Sequence, residues 1–411
     1  MHSRKATPLF ILLAGLIVLS ACAPAASGTP QVVTQIVPGT PIVQNVVVTA
    51  TPGAIQPPAP TALAAGSVQI NGAGATFPLP LYTEWTYAYQ YVDPSVAINY
   101  QGIGSGGGKK AIIDGTVDFA GSDSLVTDAE YTSGKDLQML PVVAGAVVPI
   151  YNIKFNTQPT PVAPATAAPV PTLILDRQTL VDIFNAKVKT WNDPEIVALN
   201  PGLKDLLPAK PITVVHRSDG SGTTEMFTKA LTSFSPDWKA GGAQSVEWAV
   251  DKAGNGLGAK GNPGVAAAVL NTPNSIGYVE LDYAIANSIA YSQMVNKAGK
   301  TVTANGDSIV SAMSDFADKF TNKLTNVIVD GQGDKSWPIS GYTYLVVHMT
   351  SMTDCTKAQK LLNYIQWTLT DTAAAKTANK LGYAVLPDAV QKSVIAKLGE
   401  VQCSGKAVLS K

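Results

Sequence analysis

Three short stretches of the 411-residue chain concentrate hydroxyls, glycines and cations where an apolar, strand-like run gives way to a helical one. The richest is His216-Arg217-Ser218-Asp219-Gly220-Ser221-Gly222-Thr223-Thr224. A guanidinium can form two parallel bonds to an oxyanion, and Ser221, Gly222 and Thr223 add hydroxyls and helix-start amides. Asp219, two residues on, can orient Arg217. The second stretch, Gly102-Ile103-Gly104-Ser105-Gly106-Gly107-Gly108-Lys109, follows the strand-like Val96 to Tyr100. The third, Gly72-Ala73-Gly74-Ala75-Thr76-Phe77-Pro78, sets Thr76 where an N-cap is expected, ahead of an aromatic-rich helix through Trp85. Free N–H groups at helix starts attract anions, so the chemistry on offer is that of an oxyanion cradle. Each stretch also admits a plainer reading, a capped helix beside a surface ion pair.

Other chemistries fit less well. Gly102, Gly104 and Gly107 match the GxGxxG spacing of dinucleotide sites, but the stretch to Asp123 is too short for a full βαβ unit with its ribose carboxylate. A nucleotide P-loop needs a glycine six residues before its lysine and Ser or Thr after it; Lys109 has Ile103 and Lys110 there. No GxSxG surrounds Ser105 or Ser221, and His216 has no evident acid to orient it. Two distant cysteines with His216 and His348 do not make a metal site. No catalytic residue, metal or cofactor is assigned.

The elements that must position these groups follow from periodicity. Val96 to Tyr100, Gly107 to Asp114 and Val117 to Gly121 read as strand, helix and strand, and the alternation continues through the chain as an α/β pattern with mixed sheets. Gln178 to Phe184 is helical, Tyr342 to His348 a strand, and Lys357 to Leu369 places Leu361, Leu362, Ile365 and Leu369 on one helical face. Residues 158–172, rich in Pro, Ala and Thr, form a surface insertion.

Arg4 and Lys5 precede the apolar run Leu9 to Leu19, shorter than the roughly 20 residues of a spanning helix. Residues 1–21 therefore read as a signal peptide, and Leu19-Ser20-Ala21-Cys22 as a lipobox whose cysteine is acylated; an ordinary cleaved signal with an incidental cysteine is the alternative. Residues 22–66 contain no charged side chain and read as a tether, spanning roughly 35 to 40 Å if flexible, with a strand over the Val-rich Val43 to Val48 as the alternative. Removing Arg4 and Lys5 from 29 basic residues leaves 27 against 29 acidic ones, a balance that argues against a nucleic-acid binder. The 345 residues after Gly66 (411 minus 66) allow about two domains. Cys355 and Cys403 remain as an even pair in an oxidising compartment, a disulfide candidate, with two buried thiols as the other possibility.

From Val68 to Leu398 the sequence resembles the periplasmic phosphate-binding proteins of ABC phosphate transporters, on the stretches Asn71 to Phe77, Asn99 to Gly108, Val117 to Asp123, Arg217 to Thr223, Ser275 to Glu280 and Gly382 to Pro387. The resemblance implies a type II periplasmic-binding-protein fold: two α/β lobes, each a mixed sheet flanked by helices, joined by two hinge strands near Gly145 and Gly277 to Glu280. Residues 67–145 and 281–411 would form one lobe and 146–280, with the insertion, the other. It implies phosphate contacts from Thr76, Phe77, Ser105, Asp123, Arg217, Ser221, Gly222 and Thr223, with Asp219 supporting Arg217. Gly106 departs from the family, where a second serine is common. The implied protein is a monomeric, lipid-anchored binder outside the cytoplasmic membrane, not an enzyme, that passes inorganic phosphate to an ABC permease.

A carboxylate in an anion site demands a reason, because Asp123 facing a bare oxyanion in a dry cleft costs several kcal/mol. Phosphate brings a proton that the carboxylate can accept, whereas sulfate near neutral pH brings none. A phosphatase, a surface adhesin or sensor, and a sulfate or molybdate binder are the competing readings.

Overall fold

Short Val- and Ile-rich runs separated by glycine turns and amphipathic segments dictate an α/β fold. The computed structural model describes residues 67–156 and 171–409. Residues 1–66, where the signal peptide, the acylated Cys22 and the tether are expected, lie outside the described residues, as does most of the expected insertion, residues 158–170. The chain opens with β1 (Val68–Gly74), α1 (Leu79–Val92), β2 (Val96–Gly102), α2 (Ser105–Ile113), β3 (Phe119–Ser122), α3 (Asp128–Gly134) and β4 (Leu137–Asn152). It continues through β5 (Ile174–Asp176), α4 (Arg177–Phe184), α5 (Pro194–Leu199), β6 (Thr213–Arg217), α6 (Gly222–Phe234), α7 (Ala249–Lys252), β7 (Gly256–Ala259), α8 (Gly261–Asn271) and β8 (Ser275–Glu280). The last part holds α9 (Leu281–Ala286), β9 (Gln293–Val295), β10 (Thr301–Val302), α10 (Gly306–Asp315), β11 (Ser340–His348), α11 (Cys355–Thr370), α12 (Thr372–Lys380), β12 (Ala384–Val385) and α13 (Asp388–Leu398).

The strand β4 organises everything else. Its sequence, LQMLPVVAGAVVPIYN, is apolar almost throughout, as a strand covered on both faces must be, and nearly every residue is buried. Its first half pairs antiparallel with β11, from Leu137 opposite His348 to Ala146 opposite Ser340. Its second half pairs antiparallel with β8, from Val147 opposite Glu280 to Asn152 opposite Ser275. The main sheet therefore runs β2-β1-β3-β11-β4-β8-β6-β7, and one strand serves both lobes. Pro141, which cannot donate to a ladder, sits where the β11 register shifts between Thr343 and Tyr344.

On one side β1 lies between β2 and β3, parallel to both; on the other β6 lies between β7 and β8, again parallel. In such sheets ligands gather at the carboxyl ends of parallel strands. The three glycine and hydroxyl stretches follow β1, β2 and β6 there, and Asp123 follows β3. Tyr151 and Pro149 of β4 bond to Ala290 and Ser292, and β9 pairs parallel with β5, so residues 290–295 remain with the second half of β4.

Two local details fix the first lobe. A Cβ at Gly145 would lie 2.6 Å from the Phe77 ring, so the glycine lets that ring seat on β4, where its burial contributes about 1.5–3 kcal/mol. Cys355, at the start of α11, is bonded to Cys403 across a sequence separation of 48 residues.

Candidate functional site

The second-lobe half of the site is built from one continuous loop. β6 ends at Arg217, and α6 begins at Gly222 with Ser221 as its N-cap, the Ser221 hydroxyl accepting from the N–H of Thr224 at 3.0 Å. The Arg217 guanidinium donates from Nε and Nη2 to the two oxygens of Asp219, at 2.7 and 2.6 Å, leaving Nη1 turned toward the Thr223 hydroxyl at 3.4 Å. Burial opposes ionisation of Asp219, but the Arg217 bonds and charge and the Gly261 N–H outweigh it and hold the carboxyl below its usual range. Asp219 thus fixes the guanidinium plane and remains charged.

The first-lobe half is assembled from separate pieces. Ser105 opens α2, and its hydroxyl accepts from the N–H groups of Asp123 and Gly222 at 3.2 and 3.1 Å. Asp123, only 5% exposed, accepts from the Thr343 hydroxyl at 2.7 Å on Oδ1 and from the Ser105 hydroxyl at 3.4 Å on Oδ2. Burial pushes its carboxyl up to about 7; the Thr343 bond, the Arg217 charge and the Ser105 bond oppose this without cancelling it. Lys109 does not face the ligand side: it is buried and donates to Ser124, Leu125 and Glu130, pinning the chain that follows Asp123.

Thr76 differs from the sequence expectation. α1 begins after Pro78, whose side chain offers no cap, and Thr76 does not cap it. The Thr76 hydroxyl instead accepts two bonds at 3.0 Å from Asn262 of the other lobe, one from its backbone N–H and one from Nδ2. The Thr76 carbonyl accepts from the Tyr283 hydroxyl at 2.6 Å and the Phe77 carbonyl from the Tyr383 hydroxyl at 2.7 Å, which turns the Thr76-Phe77 peptide edge. The N–H groups of Phe77, Ser105 and Thr223 take no acceptor among the described residues.

These contacts bring all nine expected residues, Thr76, Phe77, Ser105, Asp123, Arg217, Asp219, Ser221, Gly222 and Thr223, around the seam between the lobes. The seam is closed: besides the Ser105–Gly222 and Thr76–Asn262 bonds, Gly106 donates to the Gly220 carbonyl at 3.0 Å and Ser124 donates to Glu225. At Gly106 a Cβ would stand 3.0 Å from the Gln244 Oε1 and 3.2 Å from the Gly220 Cα, so the family's second serine has little room in this arrangement. Sequence reasoning missed Asn262, Thr343, Tyr283 and Tyr383, which come from remote segments. It also missed that His216 bonds Asp251 at 2.8 Å; Asp251 lies on α7, 35 residues along the chain.

The arrangement offers donors from both lobes, one oriented guanidinium and one buried acid. Residues 59–372 match the family model described as a PBP superfamily domain. The phosphate-binding protein PstS of Pasteurella multocida is 37% identical over 339 residues, 82% of this chain and 91% of that protein. The protein of the same name from Haemophilus influenzae is 37% identical over 327 residues, covering 79% and 91%. In fold, the phosphate-binding protein of Stenotrophomonas maltophilia superimposes with a TM-score of 0.60 at 20% identity, covering 83% of this chain and 99% of that one. The fold is therefore that of the two-lobed type II periplasmic binding proteins, and the chain belongs to the PstS family of phosphate-binding proteins.

Proposed function

We propose that this chain binds inorganic phosphate between its two lobes, outside the cytoplasmic membrane, and delivers it to an ABC import permease. The observation that carries this reading is the setting of Asp123, a buried acid surrounded by donors that suit an oxyanion. Thr76, Phe77, Ser105, Arg217, Ser221 and Thr223 supply those donors, Gly222 lies beside them with its N–H on the Ser105 hydroxyl and turns it to the ligand on binding, and Asp219 orients the guanidinium. An acid in such company is useful only when the ligand carries a proton to share with it. The names of the PstS relatives support the same ligand.

Groups of both lobes meet at the seam, which supports a hinge closing residues 146–280 against the body formed by 67–145 and the chain beyond residue 302. The permease reads the joined surface. The Leu19-Ser20-Ala21-Cys22 sequence and the charge-free stretch to Gly66 support export and a lipid tether at Cys22, and the protein acts as a monomer. It is a binder and not an enzyme. Asp251 gives His216 a carboxylate partner, the one feature favouring a hydrolase, but the other ring nitrogen faces the Arg217 carbonyl and no nucleophile. Calorimetric titration with phosphate, arsenate and sulfate on the alkaline side of about pH 7, where Asp123 is charged, tests the reading: the first two bind and sulfate does not. Equal sulfate binding contradicts it.

A further inference from the structure

Asn262 is fully buried at the start of α8, and every hydrogen-bonding group of its side chain is committed. Its Oδ1 accepts from the backbone N–H of Glu280 at 2.9 Å, and a backbone N–H can only donate, so the amide orientation is fixed. The two Nδ2 hydrogens are left for two hydroxyls, Thr76 of the first lobe and Thr223 of the second, both at 3.0 Å. The Asn262 backbone N–H donates to Thr76 as well.

A hydroxyl has one hydrogen and two lone pairs. Asn262 occupies both lone pairs of Thr76, and Asn262 with Arg217 Nη1 occupies both of Thr223. Neither threonine can turn a lone pair toward a ligand, and each has its O–H hydrogen left to give. Resting on the phosphate reading, we infer that Asn262 is a positioning residue which sets the Thr76 and Thr223 hydroxyls as donors to the bound oxyanion and clasps the lobes through the same amide. It touches no ligand itself. The sites of its action are two hydroxyls that lie on opposite lobes, so losing it removes the Thr76 bonds from the closed form alone, while the bonds to Thr223 and Glu280 are lost from the open and closed forms alike.

Stopped-flow binding of inorganic phosphate to the full chain tests this. Asn262→Ala is expected to raise the off-rate about 10- to 100-fold while the on-rate changes little. Two double-mutant cycles, with Thr76→Val and with Thr223→Val, separate a positioning role from a merely structural one. In each the Asn262 substitution is expected to cost about tenfold less once its threonine partner has lost the hydroxyl. Where Asn262→Ala fails to fold, Asn262→Asp keeps the shape and the Glu280 acceptor, cannot donate when ionised, and serves in the same cycles. Single effects that multiply without coupling, or an unchanged off-rate, overturn the inference. Failure of the unmodified protein to bind phosphate would instead overturn the reading on which it rests.

Discussion

The two halves of the site reach the same chemistry by different routes. In the second lobe one loop of eight residues, Arg217 to Thr224, holds the guanidinium, its carboxylate support and a capped helix start. In the first lobe Thr76, Ser105 and Asp123 follow three different strands, and their partners Thr343, Tyr283 and Asn262 come from far along the chain. A local loop can present its donors before the lobes meet, whereas the scattered half is completed only by tertiary contact. On the proposed function, the second lobe attracts the anion and the first inspects it.

The comparison can be broken at several points. Arg217→Ala strikes the local half hardest, because it removes the guanidinium and leaves the partly buried Asp219 charge beside the anion without its partner; a loss of about 3–5 kcal/mol in phosphate binding free energy is expected by calorimetry. Reducing Cys355–Cys403, the first lobe's staple, should lower stability by about 4 kcal/mol in denaturant melts while phosphate affinity of the folded protein holds. Gly222→Ala sharpens the seam itself: its Cβ would stand 2.6 Å from the Asp123 Cβ, so it should cost about 1–3 kcal/mol of binding, read mainly in the off-rate. Ser221→Ala removes the α6 cap and should lower the stability of the ligand-free protein by about 1 kcal/mol in thermal melts.

The same contrast governs what could be read in the sequence. The Arg217 loop was legible because its bonds join residues two or three apart, and the strands β2 and β11 were legible from their apolar runs. The cap expected of Thr76 is not made: a hydroxyl before a helix reads as a cap, but Pro78 stands at the N-cap of α1 and the Thr76 hydroxyl serves Asn262 instead. Asn262 carries only a weak signal, an asparagine between Gly261 and Pro263 at a helix start, and its reach to Thr76 spans 186 residues. The raised carboxyl of Asp123 has no sequence signal at all, since burial is its cause.

The central claim is that Asp123 tests the ligand for a proton, and pH bears on it directly. With its carboxyl pushed up to about 7, Asp123 is neutral on the acid side, where its own hydrogen can satisfy sulfate, and charged on the alkaline side, where only a protonated ion is tolerated. The ratio of phosphate to sulfate affinity, measured by calorimetry from about pH 5 to pH 9, should climb by about tenfold per pH unit above about pH 7, and the climb should vanish in Asp123→Asn. A ratio indifferent to pH, or one that Asp123→Asn leaves intact, would contradict the account.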